Sequence, residues 1–291
     1  MTDFTPYALD IVAPSDQAFD IADRLGMEGE MNALSVTIFE APDNMMLVQG
    51  LYGSIEEAET ARAALILSAS IKASIKQLPD TDWVSETQSR LHPVKAGRFF
   101  IHGSHDADKK QADKINILID AGLAFGTGHH GTTAGCLRIF TEQLDRNIIP
   151  NRILDLGCGA GILAIAAAKS CPNTEILATD IDPDSIFVTQ ENADLNDVKG
   201  RIAAHVVDGF DSPIFADRTF DLIFANILAG PLMGLADDIV DAMDIGGYVI
   251  LSGILDEKAK AVSERFTQAG LDISPAPSLN GWTSLLGHKP K

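Results

Sequence analysis

The chain has 291 residues, 46% of them hydrophobic, and a formal net charge of −19 from 41 acids against 22 bases. That length and apolar share can supply two cores, while the acidity excludes a large phosphate-binding face, which needs clustered lysine and arginine. A basic protein suits such a charge as partner, and acidity that serves solubility alone is the plainer reading. No apolar run reaches the length of a membrane span, and MTDFTPYALD has no basic start followed by an apolar core, so a cytoplasmic protein is expected. Cys136, Cys158 and Cys171 form no CxxC pair, which argues against a zinc knuckle or a disulfide frame.

Residues 1–80 read as a small unit. YALDIVAP alternates into a strand, SDQAFDIADRLG is a helix with Ser15 as N-cap and Gly26 at its close, and ALSVTIFEA with MMLVQGLYG make a hairpin across Pro42, Asp43 and Asn44. Ser54 opens a second helix, SIEEAETARAALILSA, and ASIKQLP is the last strand. The order βαββαβ is ferredoxin-like, a four-stranded antiparallel sheet with both helices on one face. No catalytic cluster falls in it, which leaves a recognition module or a structural cap. Residues 81–115 are polar and irregular around the short strand RFFIHG and read as a linker. His102, His105, Asp106 and Asp108 are scattered there as in a solvated loop rather than grouped as metal ligands.

The third region, 116–291, carries the informative stretches. INILIDAG is an apolar strand running into Gly122. Phe125, Gly126, Thr127 and Gly128 then form a glycine loop, and Thr132 and Thr133 open a helix toward Glu142. Hydroxyls at a helix start either cap it or bind a ligand carboxylate. His129 and His130 are adjacent and point apart, a poor metal pair. In ILDLGCGAGILAIAAAK a strand bearing Asp155 breaks into Gly157, Gly159 and Gly161 before an alanine-rich helix. Glycines permit the unusual dihedrals of such a turn and the close approach of a ligand to the main chain. The dinucleotide fingerprint wants a third glycine where this chain has Ile162. An acid two residues before the first glycine suits a cofactor with a cationic amino-acid end, such as S-adenosylmethionine.

Alternating strands and helices follow. EILATDI ends in Asp180, 23 residues after Gly157, where an acid grips ribose hydroxyls. Asp182 and Pro183 start a helix by a cap and a first-turn proline. Asp208 ends the strand HVV, and the continuously apolar FDLIFANIL delivers Asn226. GGYVILSGI and WTSLLGH supply further strands, with PLMGLADDIVDAM and DEKAKAVSERFTQAG as helices between. The pattern is a doubly wound, mainly parallel α/β sheet. Ligands bind such sheets outside the carboxyl ends of the strands, where Asp155, Gly157, Asp180, Asp208 and Asn226 converge. A buried polar network of the same residues is the alternative.

DLGCGAG followed by TDIDP closely resembles the class I S-adenosylmethionine-dependent methyltransferases. LAFGTGHHGTT and ANILAGPL narrow the resemblance to the ribosomal protein L11 methyltransferase family, over essentially the whole chain. It implies a Rossmann-like methyltransferase domain at 116–291 behind a ferredoxin-like substrate-recognition domain at 1–80. It also implies that Thr133, Gly157, Asp180 and Asn226 hold the cofactor. Phe125, Gly126, Asp155, Cys158, Gly159, Gly161, Ile181 and Asp208, from the two loops and the strand ends, complete the expected site. Gly131 stands where the family more usually has a proline or an acid. The implied substrate is the amino groups, on lysines and the N-terminus, of one basic ribosomal protein, met by a monomer without metal, nucleic acid or membrane.

A lysine titrates near about 10.4 and must lose its proton before attack. No general base is evident. Desolvation beside a cationic cofactor disfavours the ammonium, so loss of the proton to water is the expected route. Asn226 is the expected catalytic residue, orienting the amine through its side-chain oxygen. Ile227 and Leu228 follow it instead of two prolines and an aromatic, which points away from an adenine or glutamine methyltransferase. A methyltransferase of another protein or a small molecule, a nicotinamide oxidoreductase and a noncatalytic scaffold are the alternatives.

Overall fold

The computed structural model describes residues 6–26, 31, 33–41, 45–65, 67–68, 71–78, 93–120, 131–275 and 278–291. The glycine loop with Phe125 and Gly126, and the hairpin turn at 42–44, lie outside the described residues. The chain divides into two compact units, Met1–Trp83 and Val84–Lys291.

In the first unit the elements are β1 (Tyr7–Pro14), α1 (Ser15–Leu25), β2 (Ser35–Ala41), β3 (Met45–Tyr52), α2 (Ile55–Ala64) and β4 (Lys72–Gln77). The sheet order is β2-β3-β1-β4, with every neighbour antiparallel. Alternate residues point inward, as the pleat requires. Leu9, Ile11 and Val48 of the sheet share one core with Ile21 and Leu25 of α1 and Ala58 and Ala61 of α2. At α2, Ser54 Oγ accepts the Glu57 N–H at 3.2 Å and Glu57 Oε2 accepts the Ser54 N–H at 3.2 Å, a reciprocal capping box. The start of α1 differs from expectation. Its cap position is Pro14, which makes no side-chain hydrogen bond, and Ser15 is already the first helical residue. The fixed φ of the proline carries β1 directly into the helix.

The second unit opens with β5 (Val94–Ala96), β6 (Phe99–His102) and β7 (Ile115–Leu118), in the order β5-β6-β7. The stretch expected as a linker thus carries the expected short strand as β6 and an additional one, β5, beside it. Phe99, Ile101 and Ile117 are buried in the core of this unit. Stacking continues from Phe99 to Phe140 at 6.1 Å and from Phe140, edge-on, to Phe224 at 5.2 Å. Phe140 belongs to α3 (Gly131–Asp145), which thus joins the small sheet to the large one.

Next come β8 (Arg152–Leu156), α4 (Ile162–Ser170), β9 (Glu175–Asp180), α5 (Pro183–Leu195), β10 (Ile202–Val206), β11 (Phe220–Asn226), α6 (Ala229–Gly234), α7 (Ala236–Asp241), β12 (Met243–Leu255), α8 (Ala259–Gln268), β13 (Asp272–Pro275) and β14 (Trp282–His288). They form a seven-stranded sheet, β10-β9-β8-β11-β12-β14-β13. Strands β8 to β12 are mutually parallel, and β14 is antiparallel to both its neighbours. Neighbouring residues face opposite layers: Ile153 and Phe224 enter one core, with α3, α4 and α5, while Leu154 and Ile223 enter the other, with α6, α7 and α8. The chain steps outward from β8 to β10, then returns to β11 on the far side of β8. That reversal makes the switch point. Two details depart from expectation. PLMGLADDIVDAM is two short helices meeting at Leu235, and DISP forms the additional strand β13. The latter lies at the sheet edge, where a closing proline with no N–H to donate is tolerated.

Candidate active site

At the switch point the chain leaves Leu156 and turns through Gly157 (φ +69°), Gly159 (φ +52°) and Gly161 (φ +78°). Side chains are disfavoured in this left-handed region. A Cβ on Gly157 would overlap Ile227 Cγ2, and one on Gly161 would stand 2.8 Å from Thr189 Oγ1. The glycines thus let the turn press against the end of β11 and against α5. The Gly157 and Cys158 N–H groups both donate to the Thr179 carbonyl, at 2.8 and 3.0 Å. Cys158 turns its thiol inward to 3.4 Å from the Thr189 hydroxyl, and burial pushes that thiol far up. Its side chain shapes the turn and is not a free nucleophile.

Gly161 occupies the cap position of α4 and has no side chain to offer. Asp155 supplies the acceptor from β8: its Oδ2 takes the Ala164 N–H at 2.9 Å. The residue is 1% exposed. Burial pushes its carboxyl up to about 7, with the Ala164 N–H opposing and the charge of Asp180 adding to the rise. A buried carboxyl whose ionised form is disfavoured therefore lies below the turn, against the positive end of a helix.

Asp180 closes β9. One carboxylate oxygen accepts the Gly159 N–H at 2.8 Å and the other the Asp182 N–H at 3.0 Å. A carboxylate oxygen can accept more than once, so both keep capacity for a ligand donor. Ile181, next in the chain, is 64% exposed. Asp208 is also exposed and lies two residues past β10.

Asn226 is the last residue of β11, and its Nδ2 donates to Thr133 Oγ1 at 3.3 Å. Thr133 is buried in the first turn of α3. The Asn226 Oδ1 takes no protein donor among the described residues. Asp155, Gly157, Cys158, Gly159, Gly161 and Asp180 are thus joined in one bonded turn, and Ile227 links it to the strand that carries Asn226. Ile181 and Asp208 sit at or just past the neighbouring strand ends.

Sequence reasoning missed the braces on α5. Thr189 Oγ1 donates to the Gly159 carbonyl at 2.8 Å and Asn192 Nδ2 to the Ala160 carbonyl at 2.9 Å. Both are fully or almost fully buried. The available signal was a run of polar residues, Thr189, Asn192 and Asn196, at helical spacing on the face that also carries Ile186 and Ala193.

A parallel sheet with a reversed strand, a glycine turn at its switch point and an acid closing the next strand define an S-adenosylmethionine-dependent methyltransferase. Residues 21–290 match the family model described as ribosomal protein L11 methyltransferase (PrmA). The chain belongs to that family. It is 49% identical over 211 residues to the ribosomal protein L11 methyltransferase of Brucella abortus strain S19, covering 72% of this chain and 73% of the relative. The Mesorhizobium japonicum protein of the same name is 45% identical over 224 residues, covering 77% and 76%. A crystal structure of ribosomal protein L11 methylase from Lactobacillus delbrueckii subsp. bulgaricus superposes with a TM-score of 0.60 at 29% identity. It covers 69% of this chain and all of the other.

Proposed function

We propose that this enzyme methylates amino groups, on lysine side chains and the N-terminus, of ribosomal protein L11, and that Asn226 positions the amine at the switch point. When bound, S-adenosylmethionine supplies a methyl group on a cationic sulfur that passes to a nucleophile approaching in line. The residues present fit that cofactor. Asp180 has acceptor capacity for ribose hydroxyls, Ile181 offers an exposed apolar surface beside it, and the Asp155 carboxyl lies below the turn, where a cationic amino-acid end would favour its ionised form. Phe125, Gly126, Thr133, Gly157, Cys158, Gly159, Gly161 and Asp208 complete the proposed cofactor site.

The observation that carries the role of Asn226 is its bond to Thr133. With Nδ2 committed to that hydroxyl, Oδ1 is left to accept an N–H of the incoming amine and turn its lone pair toward the methyl group. This is catalysis by orientation. No side chain is assigned as general base, because desolvation beside a positive charge favours the neutral amine.

The first unit is proposed as the substrate-recognition module, supported by its own core and by its 14 acids against 4 bases. The enzyme is further proposed to act as a cytoplasmic monomer. Light scattering at working concentration tests the latter. The main test is mass spectrometry of L11 incubated with enzyme and cofactor, where mass gains of methyl groups on lysines or the N-terminus are expected. An unmodified L11 beside another methylated ribosomal protein overturns the substrate assignment.

A further inference from the structure

We infer that Ser252, near the end of β12, is a positioning residue for methyl transfer: through the Thr132 carbonyl it fixes the first turn of α3, and so the Thr133 hydroxyl that orients Asn226. The inference rests on the roles proposed for Asn226 and Thr133.

Ser252 is fully buried and Ser284 on β14 nearly so. Buried hydroxyls are costly unless bonded. Ser252 Oγ lies 3.1 Å from the Thr132 carbonyl oxygen and 2.9 Å from Ser284 Oγ. A carbonyl only accepts and each hydroxyl has one proton, so Ser252 donates to Thr132 and Ser284 donates to Ser252. The direction of the chain is settled by that count. The Thr132 carbonyl belongs to the planar peptide unit whose nitrogen is that of Thr133. Holding its oxygen therefore sets where the Thr133 side chain starts.

The register completes the arrangement. Asn226 and Ser252 are paired across β11 and β12. Two adjacent strand ends thus grip two successive residues of α3, Ser252 at Thr132 and Asn226 at Thr133. Close packing makes this reach possible. A Cβ on Gly135 would overlap Ser284 Oγ, and one on Gly131 would overlap the Leu279 carbonyl oxygen. The missing side chain of Gly131 is what lets the helix start against that carbonyl. An apolar replacement of the hydroxyl pair would serve stability about as well. What the pair adds is direction.

The test is kcat, at saturating cofactor and L11, for Ser252→Ala, Thr133→Val and the double variant, with folding checked by thermal melting. Displacements of about 1 Å cost up to about a hundredfold in rate. Each single variant is expected to lose about tenfold in kcat with the KM for L11 unchanged, and the double variant to be no slower than Thr133→Val alone. A merely structural serine would lower the melting temperature and multiply its loss onto that of Thr133→Val, which overturns the inference. Wild-type kcat in Ser252→Ala beside a slow Thr133→Val also overturns it while leaving the site reading intact. Wild-type kcat in Thr133→Val overturns both. Should Ser252→Ala fail to fold, Ser284→Ala, which leaves the bond to Thr132, replaces it with an expected loss of a few fold, again suppressed by Thr133→Val.

Discussion

Asp180 braces the glycine turn through Gly159 and still has lone pairs to offer a ligand. Asp180→Ala is expected to weaken S-adenosylmethionine by about 1.5–3 kcal/mol, the range for hydrogen bonds to a charged group. Calorimetry measures this, and unchanged affinity in a folded variant removes Asp180 from the site. Asn226→Ala should instead reduce turnover more than cofactor affinity, on the proposal that its oxygen orients the amine. A proportional loss of both would make Asn226 a cofactor ligand only. Asp155 is where pH enters. Its carboxyl titrates at about 7 in the folded protein, against an ordinary value near about 4. Between those values the folded chain holds a proton that the unfolded chain has lost. Its contribution to stability is therefore full below pH ~4 and lost as pH rises toward 7. A cationic ligand favours the ionised acid, so cofactor binding near pH 6 should release a proton, and affinity should climb toward pH 7. The binding heat should then vary with the ionisation enthalpy of the buffer, and Asp155→Asn should remove that variation. Equal heats in two such buffers for the wild type would show that Asp155 does not change its protonation on binding.

Among the elements, the β8–α4 turn is tightly constrained. Gly157→Ala meets both a positive φ and Ile227, so a loss of about 1–3 kcal/mol is expected in urea unfolding. Adding Ile227→Ala should recover the steric part and leave the dihedral part. Full recovery would mean that the backbone of this turn carries no strain. The turn, the strand ends at Asp180 and Asn226 and the alternation of strands and helices that makes a mainly parallel sheet were legible because each depends on residues close in sequence. Other features were not. Strand β5 has three residues, too few for a period to emerge from polar surroundings. No proline stands at the break at Leu235 itself, and β13 is short and mostly exposed. Thr189, Asn192 and Ser252 bind main chain delivered by the fold, in the case of Ser252 from 120 residues away. A polar side chain marks such a need, but its partner cannot be read from the sequence.

At the scale of the molecule, the two units divide both charge and chemistry. Residues 1–83 carry 14 acids against 4 bases, more than half of the net charge of −19 in under a third of the chain. They also enclose a core of their own. Every described residue proposed to touch the cofactor lies in the second unit, with its separate cores. A fragment starting at Val84 is therefore expected to fold and to bind S-adenosylmethionine as the full chain does. It should fail on L11, because a flexible amine is held in line only when binding energy gathered elsewhere on the substrate pays for its ordering. A basic protein docking on an acidic module should also associate more slowly as salt rises, through screening of the attraction. Methyl incorporation into L11, compared at matched cofactor saturation and at about 50 and 300 mM salt, reads both effects, provided circular dichroism shows a folded fragment. Activity in the fragment equal to that of the full chain would mean that the first unit caps the enzyme without recognising its substrate. A loss in the fragment with no salt dependence in the full chain would keep the recognition role and assign it to shape and apolar contact in place of charge.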